Sequence, residues 1–396
     1  MTDVLKIIGR HNLLFEKDVN NYSEVLSELV TNSSFLVIGA AGTIGQAVSK
    51  EIFKRSPKKI HCIDLSENNL VELVRDLRSS IGYIDGDFKT FALDVGSNAF
   101  EDMVNEYGPY DYVLNLSALK HVRSEEDQFT LMRMIQVNIL NTEKNINSAI
   151  SMNSKKYFCV STDKASYPVN MMGASKRIME LFLSFYSQKI KISTARFANV
   201  AFSDGSLLAG FQERIKKLQP IAAPNDVRRY FLTSQESGEL CLLSCLLGET
   251  NDIFFPKLDD NLHLITFSEI ADRFLRHYGY TPYICSSEEE ARSEVHQLVK
   301  SKQWPCYFSS SNTTGEKDFE EFIEEDDILD MSSFDGIGII KSNLDVSIKK
   351  LDRFKDSISQ ISESRNYSKS TILKIFQEML PSFNHNEKGV YLDSKM

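Results

Sequence analysis

The stretch Phe35-Leu36-Val37-Ile38-Gly39-Ala40-Ala41-Gly42-Thr43-Ile44-Gly45 decides the fold of this chain. Four apolar residues in a row read as a buried strand, and a helical pattern opens at Thr43 and runs from Ile44 to Arg55. Gly39, Gly42 and Gly45 lie between the two. Glycines there permit a tight turn and bring a pyrophosphate against the unpaired N–H groups of a helix N-terminus. A second strand, Lys59–Asp64, ends on a carboxylate about twenty residues beyond the loop. Asp64 is placed to accept hydrogen bonds from ribose hydroxyls and to repel a 2′-phosphate, so NAD is favoured over NADP.

The alternation continues beyond this unit. Apolar runs at Thr90–Leu93, Tyr112–Leu116, Lys156–Ser161 and Ile192–Phe197 are separated by helical patterns. Strand and helix in turn predict an α/β fold with a doubly wound parallel sheet. Asp94 and Val95, after the third strand, are placed to meet an adenine. Residues 1–32 read as an N-terminal helical arm and 33–200 as the dinucleotide-binding domain. Residues 201–330 form a smaller region with a helix over 234–248, a strand near 253–256 returning to the sheet, and a helix near Ser268–Tyr278. Residues 331–396 read as a helical C-terminal extension, to which no chemistry is assigned. The run Glu320–Asp327 carries six carboxylates in eight residues and reads as a solvated face.

Composition sets outer bounds. The 396 residues are 42% apolar and 25% charged, as in an ordinary globular protein. A net charge of −10 argues against nucleic acid or an anionic membrane as partner. An anionic substrate must then be held by local donors. No apolar run approaches the roughly 18–20 residues that cross a bilayer, and no secretory signal is visible. The six cysteines show no metal-type spacing; Cys241 and Cys245 sit in an apolar helical run, and free thiols fit a reducing cytoplasm. No metal site is expected.

A second group of residues bears on chemistry. Ser161-Thr162-Asp163-Lys164 ends the fifth strand, and Met172-Gly173-Ala174-Ser175-Lys176 follows. In a nucleotide-binding α/β chain the residue four before such a lysine is ordinarily an aromatic hydroxyl that serves as base. A methionine thioether has no proton to give or take. Either the site is dead, or the acid/base work has moved to Thr162, Asp163 and Lys164. Tyr167 is a poor substitute phenol, since its place before Pro168 holds it extended.

Taken together these motifs resemble a family. The Gly39–Gly45 loop is similar to that of extended short-chain dehydrogenase/reductases. Asn115–Val122 resembles the segment that runs along the nicotinamide in nucleotide-sugar dehydratases. Ser161–Ala165 and Met172–Arg177 resemble the UDP-N-acetylglucosamine 4,6-dehydratases of polysaccharide biosynthesis, in the branch where methionine replaces the catalytic tyrosine. Arg196–Val200, Asp204–Ser206, Arg229–Phe231 and Thr314–Lys317 also resemble segments of that family. The likeness covers roughly residues 5 to 330. Ala198 stands where the family usually has Gly, and Gly42-Thr43 where it has Gly-Ser. Many members of the branch carry membrane helices ahead of the catalytic part; the likeness here begins at Ile8-Gly9-Arg10, which suggests a soluble, cytoplasmic version.

The resemblance implies a reaction and its residues. Hydride leaves sugar C4 for NAD, the 4-ketone acidifies the C5 proton, water departs from C6, and hydride returns to C6. The expected cofactor contacts are Gly39, Gly42, Thr43, Ile44, Gly45, Asp64, Asp94, Val95, Ser117, Ala118, Asn138 and Lys176. Lys164 takes the C5 proton, Asp163 protonates the departing hydroxyl, and Thr162 bonds O4. Lys176 bonds the nicotinamide ribose, and Asn138 orders a lysine-bound water. Met172 lies beside them. As a base, Lys164 must be partly neutral, through burial and a neighbouring cation. Lys120, His121, Asn199, Ser206, Arg229 and Glu316 are expected on the substrate, a UDP-sugar, with UDP-N-acetylglucosamine favoured. A homo-oligomer is expected, because relatives associate through helices flanking the sheet. The alternatives are a nucleotide-sugar epimerase and a non-catalytic NAD-binding protein.

Overall fold

In the structure, a computed structural model, residues 2–258, 262–391 and 394–396 are described. The buried run Ser34–Ile38 is the organising strand. It pairs in parallel with Lys59–Asp64 on one side and Tyr112–Asn115 on the other, so that Ile38 lies opposite both Ile63 and Asn115. Outward from it run Asp87–Ala92 at one edge and, on the other side, Lys156–Thr162, Ile192–Phe197 and Asp252–Pro256. The chain therefore fills one side of the sheet before it crosses to the other. The point of reversal leaves a crevice beyond the C-terminal ends of the strands, where α/β sheets bind their ligands.

Helices cover both faces, which makes this the doubly wound α/β architecture expected from the alternation. Thr43–Phe53 and Ser234–Leu247 lie together on one face. Gly238 lets them approach, since a Cβ there would meet the Ala47 carbonyl carbon at 2.8 Å. Met171–Tyr186 lies on the other face with Asn141–Ser151, burying Ile178, Met179 and Phe182. The C-terminal helices Ile348–Ser364 and Lys369–Met379 add to that face as an extension. Phe354 stands 6.3 Å from Phe182, centroid to centroid, and Lys355 Nζ donates to Glu143 Oε1 at 2.7 Å.

Two strands depart from their expected form. The third begins at Asp87, not Thr90, because its alternate residues are exposed at the sheet edge and break the apolar run. Ile337–Lys341, within the segment read as helical, is an antiparallel strand against Asp252–Pro256, with Leu329–Asp330 beyond it. Its first four residues are buried, so the alternation that marks a half-exposed strand is absent.

The smaller lobe is built on a parallel sheet of Thr281–Ile284, Gln303–Ser309 and Ile221–Pro224. Trp304, Phe274 and Phe211 fill its core together with Leu5, Ile7 and Ile8 from the N-terminus. The N-terminal residues form three short helices, Thr2–Ile7, Glu16–Asn21 and Ser23–Thr31. Buried Arg10 anchors them: its Nη1 donates to the Phe231 carbonyl at 3.0 Å and to Glu236 Oε2 at 2.9 Å. Among the described residues no helix is long and apolar enough to cross a membrane.

Candidate active site

Each glycine of the first loop has a different constraint. Gly39 has φ +75°, and a Cβ there would meet the Ser117 nitrogen at 2.7 Å. At Gly45 it would meet the Gly39 carbonyl oxygen at 2.0 Å. Gly42 is open: the nearest atom to a Cβ is that same oxygen, at 3.8 Å. Gly42 also occupies the N-cap of Thr43–Phe53 without offering a side-chain cap. Here the protein itself needs no glycine, and the first N–H groups of the helix lack a capping side chain. Both features suit a phosphate pressed against the loop.

The surrounding residues fix this loop in place. Asp64 accepts from the Ala41 N–H at 3.0 Å through one oxygen and from the Ser66 N–H at 3.0 Å through the other. Thr43 Oγ1 accepts from the Asp204 N–H at 2.9 Å, tying the loop to the turn before Ser206. Ile44 is partly buried at the start of the helix. Asp94 accepts from the Gly96 N–H at 2.8 Å and from Arg133 at 3.0 Å, and these hold its carboxyl below the usual range; Val95 beside it is buried.

The segment after Tyr112–Asn115 is clamped by side chains. Ser117 Oγ donates to Asn115 Oδ1 at 2.6 Å, and Ala118 follows it toward Leu119. Asn138 receives the Leu119 N–H at 2.9 Å and donates to the Leu119 carbonyl at 3.0 Å and to Ser175 Oγ at 2.9 Å. Both of its N–H donors are thereby used. Asn138 fastens the segment to the Met171–Tyr186 helix; it is not free to orient a water through those donors. Lys120 Nζ donates to Ser203 Oγ at 3.4 Å, and its ammonium is lowered by burial. The His121 ring lies over Gly205, whose added Cβ would come within 2.9 Å of Nε2. Burial, then Lys120 and Arg123, lower the imidazole.

At the end of Lys156–Thr162 the chain turns through Asp163–Ala165. Asp163 Oδ1 accepts from the Thr162 hydroxyl at 2.9 Å and from Lys164 Nζ at 3.1 Å. Lys164 has 19% of its side chain exposed and Asp163 only 3%. Burial pulls the Lys164 ammonium down, but Asp163 and Glu320 outweigh it and raise it above the ordinary lysine value. The expectation of a partly neutral lysine is therefore corrected for the free site. Two carboxylates face it, and the neighbouring cation, Arg229, does not compensate.

The Met171–Tyr186 helix abuts this turn. A Cβ on Gly173 would meet the Lys164 carbonyl oxygen at 2.3 Å, so only glycine allows the approach. Asn170 caps the helix, accepting from the Gly173 N–H at 2.7 Å. Met172 is 3% exposed in the apolar cluster of that face. Lys176 Nζ donates to the Val160 carbonyl at 3.0 Å, and burial lowers its ammonium. Tyr167 points away: it has φ +42°, not the extended form expected before proline, and its oxygen accepts from the Glu325 N–H at 2.9 Å.

Arg229 and Glu316 meet as an ion pair. Arg229 also donates to the carbonyls of Lys317 at 3.0 Å and Asp318 at 3.2 Å, so it carries the 316–320 loop. Ser206 caps Leu207–Lys216 through the Ala209 N–H, and the Asn199 N–H bonds the Tyr230 carbonyl. Arg196 is wholly buried against Glu180, Ser166 Oγ and the Phe322 carbonyl. The arrangement thus brings Thr162, Asp163, Lys164, Arg229 and Glu316 together, with Asp94 in a separate group.

One residue was missed. Glu320, read within a solvated acidic face, is 3% exposed and lies 3.7 Å from Lys164 Nζ. No signal in the sequence marks it: Phe319 and Glu321 face outward while Glu320 and Phe322 face inward, so burial along this stretch does not follow hydropathy. Among the described residues no group of three or more His, Cys, Asp or Glu is placed to hold a metal.

A family model described as polysaccharide biosynthesis protein matches residues 35–342. An uncharacterised membrane protein of Methanocaldococcus jannaschii is 29% identical over 326 residues, 80% of this chain and 87% of that one. The capsular polysaccharide biosynthesis protein CapD of Staphylococcus aureus is 27% identical over 382 residues, 94% of this chain but 57% of its own length. A UDP-glucose 4-epimerase of Rickettsia bellii is 28% identical over 288 residues, 67% of this chain and 81% of the epimerase. Among solved structures, Pen from Bacillus thuringiensis superposes with a TM-score of 0.65 at 22% identity, covering 80% of this chain and 90% of that one.

Proposed function

The chain belongs to the polysaccharide biosynthesis protein family, and on that premise we propose that it is an NAD-dependent nucleotide-sugar 4,6-dehydratase acting on UDP-N-acetylglucosamine. The observation that supports this reading is the hydrogen-bonded row Thr162, Asp163, Lys164 packed against the helix in which buried Met172 stands four residues before Lys176. An epimerase has no use for a paired acid and base at that place. The Rickettsia epimerase is the ground for the second reading, in which the same cofactor loop serves inversion at C4.

NAD bound at the Gly39–Gly45 loop would accept hydride from C4 and return it to C6. The residues of this chain handle the protons. Thr162 takes the O4 proton while passing its own to Asp163 Oδ1, along the 2.9 Å hydrogen bond already present. Asp163, now protonated, delivers that proton to the C6 hydroxyl as it leaves as water. Lys164 in its neutral form takes the C5 proton as the C5–C6 double bond forms, and gives it back to C5 when C6 receives hydride. Thr162 and Asp163 thus absorb the role of the missing phenol, and Asn138 is not required for it. Met172 keeps that side of the pocket apolar and dry, which strengthens each charge interaction beside it.

Incubation of the purified protein with UDP-N-acetylglucosamine tests the proposal. Mass spectrometry should find a product lighter by one water. A C4 epimer in its place would favour the second reading. No product from uridine or guanine nucleotide sugars would sink both.

A further inference from the structure

Glu320 approaches Lys164 Nζ to 3.7 Å, Arg229 Nη2 to 3.7 Å and Lys317 Nζ to 3.9 Å, with 3% of its side chain exposed. All three separations exceed a hydrogen bond, so the carboxylate acts on these cations through its field. Arg229 is committed to Glu316 and three carbonyls, and Lys317 donates to the Ser166 carbonyl at 3.3 Å. Lys164 is the cation whose charge the chemistry has to change. Asp163 faces it from the strand end, Glu320 from the loop, and Arg229 opposes them from beside Glu320.

We infer that Glu320 governs the protonation of Lys164: its buried carboxylate holds the lysine as an ammonium ion in the resting protein and sets the pH at which it turns into a base. The importance of this for turnover rests on the dehydratase reading; the coupling of the two charges does not. The two groups act on each other: Glu320 raises Lys164, and although the Glu320 carboxyl lies above its ordinary value, Lys164 lowers it. Burial, the largest influence on Glu320, raises its carboxyl, and Lys164 is the foremost of the groups that pull it back. Once Asp163 has accepted the O4 proton it no longer opposes deprotonation of Lys164, and Glu320 is then the carboxylate that still does. Glu320 is accordingly a tuning residue, not a catalytic one, because it acts through Lys164.

Competitive labelling of lysines in the full chain with acetic anhydride, read peptide by peptide across pH, measures this without a substrate. In Glu320→Gln the half-labelling pH of Lys164 should fall by about one unit or more, the effect of removing one close opposite charge. A purely structural role would raise the plateau of labelling by opening the site and leave the midpoint where it was. Glu320→Asp, which keeps the charge but withdraws it, should give a midpoint between the two, and it decides the matter if the glutamine variant does not fold. An unmoved midpoint in a folded variant overturns the inference. Turnover assayed in parallel separates the two claims. A wild type without product sinks the dehydratase while labelling still reads the coupling, and product with an unmoved midpoint sinks the coupling alone.

Discussion

The Thr162 hydroxyl donates to Asp163 Oδ1 at 2.9 Å, the same oxygen that receives the Lys164 ammonium at 3.1 Å. One carboxylate oxygen therefore joins the proposed O4 relay to the proposed C5 base. Thr162→Val keeps the shape and removes the hydroxyl. It should lower kcat by about a hundredfold, the scale of a lost proton-transfer group, with KM little changed. Steady-state kinetics check this, and a kcat within a factor of about three of wild type would remove Thr162 from the relay.

Lys164 must lose a proton before it can act, and its ammonium lies above the ordinary lysine value because two carboxylates outweigh its burial. The neutral fraction of the free protein then rises with pH throughout the neutral range. The proposed dehydration should follow, with kcat/KM increasing from pH 6 toward 9 by roughly tenfold per unit. A profile flat over that range would mean that Lys164 is not the base. Lys164→Ala should abolish turnover and leave bound NAD detectable by its absorbance after denaturation.

Two of the three loop glycines should separate stability from cofactor binding. At Gly45 a Cβ would meet the Gly39 carbonyl oxygen at 2.0 Å, so Gly45→Ala should lower the melting temperature. At Gly42 no atom of the described residues beyond its chain neighbours would stand closer than 3.8 Å to an added Cβ, so Gly42→Ala should melt like wild type and bind NAD at least tenfold more weakly. Calorimetry with and without NAD distinguishes them. Undiminished NAD affinity in Gly42→Ala would mean that no phosphate approaches there.

The buried Arg196–Glu180 pair gives an acid signature. Burial pushes the Glu180 carboxyl up, but Arg196 prevails and holds it at about 2, against 4.5 for an ordinary glutamate. A depressed folded value means that the stabilisation is fully present above the ordinary value and is lost as pH falls toward 2. Glu180→Ala would strip buried Arg196 of its hydrogen-bonded carboxylate and leave only Asp327, at 3.9 Å, as an ion-pair partner, at a cost of about 3 kcal/mol. Denaturant titration at neutral pH measures this, and a loss under 1 kcal/mol would contradict it. The variant should also lose the share of the acid sensitivity between pH 4.5 and 2 that Glu180 contributes.

Near the C-terminus the chain holds two parts of the site together. His385 meets Glu125 at 3.1 Å, the Asn386 N–H bonds the Val169 carbonyl, and the Gly315 and Thr314 N–H groups bond the carbonyls of Asn386 and Val390. Truncation after Ser382 should free the 313–320 loop, speeding amide exchange there while the central strands keep their protection. Unaltered exchange in that loop would show that the contacts are dispensable.

Much of this was legible in the sequence for a physical reason. A strand buried on both faces, followed by glycines and an amphipathic helix, has few alternative folds, so Phe35–Gly45 and Asp64 located the crevice. Charged residues are harder. Glu320 sits among five other carboxylates, and only its contact with Lys164, distant in the chain, distinguishes it from its exposed neighbour Glu321. The charge state of Lys164 was misjudged in part for the same reason: Asp163 beside it is the larger influence, but the second anion, Glu320, comes from another element. Ile337–Lys341 escaped because its buried, glycine-containing run has no period to read.

The C-terminal helices that lie on Met171–Tyr186 have a consequence for assembly. Phe354 and Lys355 occupy surface on Phe182 and Glu143 that a second copy of the chain would need in order to dock there through its own flanking helices. Because this cover is tethered, its association is unimolecular, and dilution does not weaken it. The wall behind the Met171–Tyr186 helix is thus completed within one chain, and its integrity should be the same at nanomolar as at millimolar protein.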